Sequence, residues 1–175
     1  WAKKLGGITL KNIKLTTFQN NQKQAIGRGD MLFTHFGVSG PLALNMSRDI
    51  GELLKYGGVT LEIDLFPNED AGVLRKKLQE LLSGENNKKL KNVISKFVPS
   101  ALADALLKLA KIDGETKNYL VSAKDRKILT LLIKKIPLTV SHLLGADKAV
   151  VSSGGVMLSE VNFKTMQSRI IPNLY

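Results

Sequence analysis

Gly29-Asp30-Met31-Leu32-Phe33-Thr34-His35-Phe36-Gly37-Val38-Ser39-Gly40-Pro41 is the stretch on which the reading of the chain turns. It predicts a buried strand from Met31 to Phe36, a tight glycine turn, and a helix opening at Pro41. Apolar residues on both faces of the strand argue for a central position in a sheet. Gly37 and Gly40 permit backbone angles closed to other residues, and proline suits the first helical position, where its missing N–H would be unpaired anyway. Ser39 is placed to cap that helix. A strand, a glycine turn and a helix start can aim free N–H groups at an anion or polar ligand. They also make an ordinary strand-to-helix connection.

Upstream, Ile8 to Phe18 alternates as a strand, but its apolar positions switch parity around Lys11-Asn12, which predicts a bulge or break. Asn20-Asn21 forms a turn, a second strand runs from Lys23 towards Gly27, and Gly27-Arg28-Gly29-Asp30 joins it to Met31–Phe36. Downstream, the Pro41 helix reaches about Lys55 and ends at Tyr56-Gly57-Gly58. Val59, Leu61, Ile63 and Leu65 then alternate with Thr60, Glu62 and Asp64, the pattern of a half-buried strand.

From Glu69 to Ile136 the apolar period becomes helical. Four short amphipathic stripes are separated by Gly84-Glu85-Asn86-Asn87, Pro99 and Asp113-Gly114, and Ser122 to Asp125 resembles a capping box. Strand signals return at Leu138-Thr139-Val140, Ala149-Val150-Val151 and Val156-Met157-Leu158. The fold class is therefore α+β: a mixed β-sheet or barrel-like subdomain, residues 1–66 and 137–175, with an inserted small helical bundle, residues 67–136. The start at Trp1 and the strand-like end at Ile170 to Tyr175 lead us to expect a piece of a longer polypeptide, with its two ends close together.

The 175 residues carry 26 Lys and Arg against 15 Asp and Glu, a formal charge of +11. Twelve basic and four acidic residues fall between Lys88 and Lys135, a local net of +8. Such a surface attracts nucleic acid or phosphorylated ligands, although solvated helices often look the same. With no cysteine there is no disulfide, thiolate nucleophile or zinc knuckle, which suits a reducing cytoplasm. No run is apolar for long enough to span a bilayer as a helix.

The opening stretch resembles a signature of the BaiN/YhiN-type FAD-dependent oxidoreductases, also described as aminoacetone-oxidase-like flavoproteins. Ser153-Gly154-Gly155-Val156-Met157-Leu158-Ser159-Glu160-Val161, followed by Lys164-Thr165-Met166-Gln167-Ser168, is similar to that family's second signature. The resemblance covers about Leu5 to Tyr175. It implies an insert between two halves of a flavin-binding Rossmann domain. FAD would be held mainly by flanking sequence, NAD(P)H would be the reductant, and the insert would cover the flavin and shape a small-molecule substrate pocket. The segment alone would then be inactive and the parent an enzyme. This chain itself has no complete Gly-x-Gly-x-x-Gly turn for a dinucleotide.

Only two histidines exist, His35 and His142, with no clustered carboxylates beside them, so no metal site is expected. A histidine in an apolar strand usually donates to a backbone carbonyl. The other reading of His35, raised by the resemblance, is a proton donor beside flavin or substrate, which makes it the one catalytic candidate. Thr34, His35, Phe36, Gly37, Ser39, Gly40, Gly154, Gly155, Thr165 and Met166 are the candidates to face cofactor or substrate. Ser39 lacks evident His and Asp partners and the Gly-x-Ser-x-Gly spacing of a nucleophile elbow. Three functions follow: a substrate-binding or lid insert of an FAD-dependent oxidoreductase, a basic nucleic-acid-binding module acting through residues 88–135, and a purely structural docking domain.

Overall fold

Asn20 and Asn21 both take positive φ, 51° and 61°, which is the geometry of a two-residue turn between twisted antiparallel strands. They join β1 (Thr9–Gln19) to β2 (Gln22–Phe33), with Gln19 opposite Gln22. The predicted irregularity near Lys11-Asn12 is a bulge. The register slips between Leu10 and Ile13, Asn12 has φ 50°, and its N–H is taken by the Asp30 carboxylate at 2.8 Å. A second slip between Thr17 and Phe18 bends the ladder again, and bulges of this kind increase local twist.

The computed structural model describes residues 1–145, 148–149 and 154–175. They fall into two compact units, Trp1–Leu143 and Leu144–Tyr175. In the first unit, β3 (Val38–Ser39), α1 (Pro41–Leu54), β4 (Val59–Asp64) and β5 (Ile136–Val140) join β1 and β2. The five strands form a curled half-barrel sheet in the order β3-β2-β1-β4-β5, antiparallel throughout. The chain is thus α+β, as the change of apolar period predicts.

Two expectations about β2 need correction. Lys23–Gly27 and Met31–Phe36 are not separate strands, because Gln22 to Phe33 is continuous. The glycines that resemble a linker instead let α1 lie close: a Cβ on Gly27 would sit 2.5 Å from the Met46 sulfur and 2.7 Å from Leu42 Cδ1. The strand is central only at its end, where Leu32 lies between Thr9 of β1 and Ser39 of β3. Beyond β1 it meets only the two residues of β3, and Ile26 on it stays exposed.

Helix α1 packs Leu42, Met46 and Ile50 into the core beside Ile13, Leu15, Met31 and Phe33. Helices α2 (Ala71–Ser83), α3 (Leu90–Ile94), α4 (Ser100–Ala110) and α5 (Ala123–Lys134) follow β4 and lead back to β5, broken where Gly84, Pro99 and Gly114 predict. Leu74, Leu78, Leu90, Ile94, Leu102, Leu106, Leu129 and Ile133 build their share of the core. Pro137 sits on the edge strand β5, where its missing N–H costs no ladder bond.

The second unit has a short hairpin, β6 (Val161–Asn162) with β7 (Gln167–Ser168), and none of its described residues is buried. The predicted strand at Val156-Met157-Leu158 is absent. Val156 and Met157 find no ladder partner, and Leu158 opens a single 3-10 turn to Glu160. Of the predicted Ala149-Val150-Val151 strand, Val150 and Val151 lie outside the described residues, as do Ser152 and Ser153.

Candidate functional site

Strand β2 stops at Phe33 because the next four residues close on themselves. Thr34 N–H donates to the Gly37 carbonyl at 2.8 Å, and Gly37 N–H donates back to the Thr34 carbonyl at 3.3 Å and to Thr34 Oγ1 at 3.1 Å. The predicted strand to Phe36 is therefore three residues too long, and its last residues form a hairpin tip. His35 is exposed, not set in an apolar strand, so the carbonyl-bonded core histidine is ruled out as its environment. Its ring lies over Gly6, where a Cβ would come within 2.9 Å of Nδ1. Phe36 beside it is 59% exposed.

The base of the tip is firm. Gly7 N–H donates to Phe33 at 2.8 Å, Phe33 N–H donates to Ile8 at 2.9 Å, and the Trp1 and Phe33 rings meet edge-on at 5.8 Å. An imidazole and a phenyl ring are thus held out from a rigid base. Ser39 does not cap α1, contrary to expectation. It pairs in β3 opposite Leu32, and Gly40 is the N-cap residue with no side-chain bond. Gly40 is required there: φ is +91°, and a Cβ would lie 3.1 Å from Leu32 N and 3.2 Å from the Asp30 carbonyl. Thr34, His35, Phe36, Gly37, Ser39 and Gly40 are therefore one contiguous feature.

The second motif is described within its own unit. Gly154 and Gly155 are exposed with positive φ, and open space surrounds the places where their Cβ atoms would stand. Thr165 and Met166 belong to the loop between β6 and β7. Asn162 organises it, its carbonyl accepting from Met166 N–H at 2.7 Å and its side chain from Lys164 N–H at 3.1 Å. Met166, at φ 58°, and Phe163 are largely exposed. Among the described residues, no three His, Cys, Asp or Glu side chains gather as metal ligands. No described helix is long and apolar enough to cross a membrane.

The lysines of the helical segment are sorted by two glutamates. Contacts with Lys88 and Lys96 lower the Glu85 carboxyl. Hydrogen bonds from Lys89 and Lys91 bring the Glu115 carboxyl down to about 2 and raise Lys91 in return. Asp64, which the alternation places on the wet face of β4, is a buried charge that its position in the sequence does not announce. Asp64 is buried and meets Lys134 at 2.9 Å and Lys14 at 3.2 Å. Lys134 Nζ also donates to the carbonyls of Phe66 and Glu69. An acid as the last polar member of the alternation, with a lysine at the far end of the helical segment, was the available signal.

The family model for the HI0933-like protein barrel and H2TH domain matches residues 1–151. The chain belongs to the HI0933-like family. The curled sheet followed by short helices suits that description, and the resemblance holds at the level of the family, with the first motif inside the matched residues and the second beyond them. Among relatives of the HI0933-like chain is the ribosomal RNA dihydrouridine synthase of Escherichia coli, 30% identical over 171 residues, covering 98% of this chain and 39% of that protein. The 3-dehydro-bile acid delta(4,6)-reductase of Clostridium scindens is 27% identical over 163 residues, covering 93% of this chain and 40% of its own length. A ribosomal RNA dihydrouridine synthase of Haemophilus influenzae is 25% identical over 147 residues, covering 83% and 34%. The chain thus spans about two fifths or less of the relatives it matches.

Proposed function

We propose that this HI0933-like chain is the substrate-side insert of a larger FAD-dependent oxidoreductase, covering the flavin and shaping the substrate pocket. The family match over residues 1–151 carries the reading. The relatives' names add a shared chemistry. Dihydrouridine is uridine with one ring C=C bond reduced, and a delta(4,6)-reductase likewise saturates ring C=C bonds. Each reduction places a hydride on one carbon and a proton on its neighbour.

FAD, reduced by NAD(P)H, supplies the hydride when bound. The described residues offer no dinucleotide turn, so the remainder of the parent polypeptide, a flavin-binding Rossmann domain, holds the cofactor. The part of this chain is to orient the substrate, exclude water and move the proton. His35 at the exposed tip is the proton-donating group, Phe36 packs against the ring being reduced, and Gly37 and Gly40 hold the tip in shape. Gly154, Gly155, Thr165 and Met166 of the second motif are the further candidates to face cofactor or substrate. RNA is favoured over a steroid as substrate, because two of the three relatives named act on ribosomal RNA and the helical segment is basic.

The test is NAD(P)H-dependent formation of dihydrouridine in ribosomal RNA by the full-length parent. We expect turnover, and His35→Gln to lower it by about 100-fold or more with loss of one limb of the pH profile. Turnover and pH profile unchanged in His35→Gln remove His35 from the reaction. No reduction of either RNA or a dienone steroid defeats the reductase reading.

A further inference from the structure

We infer that the protein holds single-stranded RNA on an exposed basic and aromatic surface formed by Lys117, Tyr119, Leu120, Lys124 and Lys127. This rests on the proposed reductase acting on RNA and names the part of the chain that grips the substrate away from the reacting ring.

The positive charge of the helical segment is far from uniform once its ion pairs are assigned. Glu85 takes Lys88 and Lys96, Glu115 takes Lys89 and Lys91, Glu69 takes Lys77, and Asp64 takes Lys134. Lys117, Lys124 and Lys127 have no carboxylate within ion-pair distance among the described residues. They are also neighbours along one short path. Lys117 leads into the 3-10 turn Asn118–Leu120, Ser122 caps α5, and Lys124 and Lys127 stand about one turn apart on its exposed side.

The apolar members are held outward by a buried anchor. Asn118 is buried, its side chain donating to the Glu85 carbonyl at 2.8 Å and its N–H to the Lys88 carbonyl at 3.0 Å. With Asn118 pinned, Tyr119 and Leu120 project into solvent, 59% and 61% exposed. A tyrosine and a leucine side by side in water, with unpaired lysines two residues before the tyrosine and four and seven residues after the leucine along the chain, match a polyanion with open ring faces. Lysines meet phosphates, and the tyrosine stacks on a base that is not already stacked in a duplex. Single-stranded RNA has both features; duplex RNA hides the second.

The test uses the full-length parent and fluorescein-labelled oligouridine, with binding followed by anisotropy over a salt series. Tyr119→Ala should weaken binding by about 5- to 150-fold, the range of a lost stacking contact, while Tyr119→Phe keeps the ring and the affinity. The triple variant Lys117→Gln/Lys124→Gln/Lys127→Gln should lower the salt slope by about 2, the value for three single-strand phosphate contacts. Lys11→Gln/Lys23→Gln on β1 and β2, the control, removes exposed charge from the sheet instead and should change the slope little. Wild-type affinity and slope in the Tyr119 and triple variants overturn the proposal, as does an equal loss in the β1–β2 control or equal preference for duplex RNA. The flavin spectrum of the same samples separates the two claims. A yellow protein whose RNA binding ignores these substitutions defeats only this surface, whereas a colourless one defeats the reductase reading.

Discussion

Asp64 is carried by β4 yet meets Lys14 of β1 and Lys134 of α5, so one carboxylate ties the sheet to the last helix of the helical segment. Its own Oδ1 accepts from Phe66 N–H at 3.0 Å, which shapes the exit from the strand. Removing one partner of a buried pair leaves charge without compensation, so Asp64→Ala should cost about 3 kcal/mol in urea unfolding, while an exposed acid such as Glu52 should cost almost nothing. Gly40 acts through its backbone. Gly40→Ala forces a side chain into positive φ against the Leu32 and Asp30 backbone, and a loss of more than about 1 kcal/mol is expected in the same measurement. Neither role was fully legible in sequence. Gly40 announces a special turn, but its clash with β2 needs the fold. Asp64 looks like the polar half of an alternation, since its partner Lys134 is far along the chain.

Elements were legible where their cause is local. Asn20-Asn21 closes the β1–β2 hairpin by its own backbone preference, and the parity switch at Lys11-Asn12 marks a real bulge. Ser122 was legible for the same reason: its Oγ accepts from Asp125 N–H at 3.0 Å and donates to the Asp125 carboxylate at 2.7 Å. Ser122→Ala should therefore destabilise the chain by about 1 kcal/mol, read from its thermal unfolding. The end of β2 was not legible, because Thr34 to Gly37 continues an apolar run and only paired backbone groups reveal the turn. The α3–α4 region also carries a pH signature. Glu115 titrates at about 2 when folded against 4.5 ordinarily, so its ion pairs stabilise fully above about 4.5. That stabilisation fades as pH falls towards 2. Glu115→Gln should flatten this part of the acid limb of a stability–pH curve, and the difference from wild type should shrink in high salt because the group is exposed.

At the scale of the whole molecule, composition and period were enough to read an α+β chain, but not the course of the second unit. Residues 154–175 bury no side chain of their own and leave Val156, Met157, Leu158, Phe163, Met166, Ile170 and Ile171 largely in solvent. A segment so poor in core is consistent with the proposed place inside a longer flavoprotein, and the chain covers only about two fifths of its E. coli relative. The tip at His35 is folded within the first unit, and in the proposed reading what it faces belongs to the rest of the parent. The most direct test is the absorption spectrum of the full-length protein purified without added cofactor. The expected result is a yellow protein with bound FAD that bleaches on adding NAD(P)H without oxygen. A colourless protein that stays colourless after dialysis against FAD would contradict it.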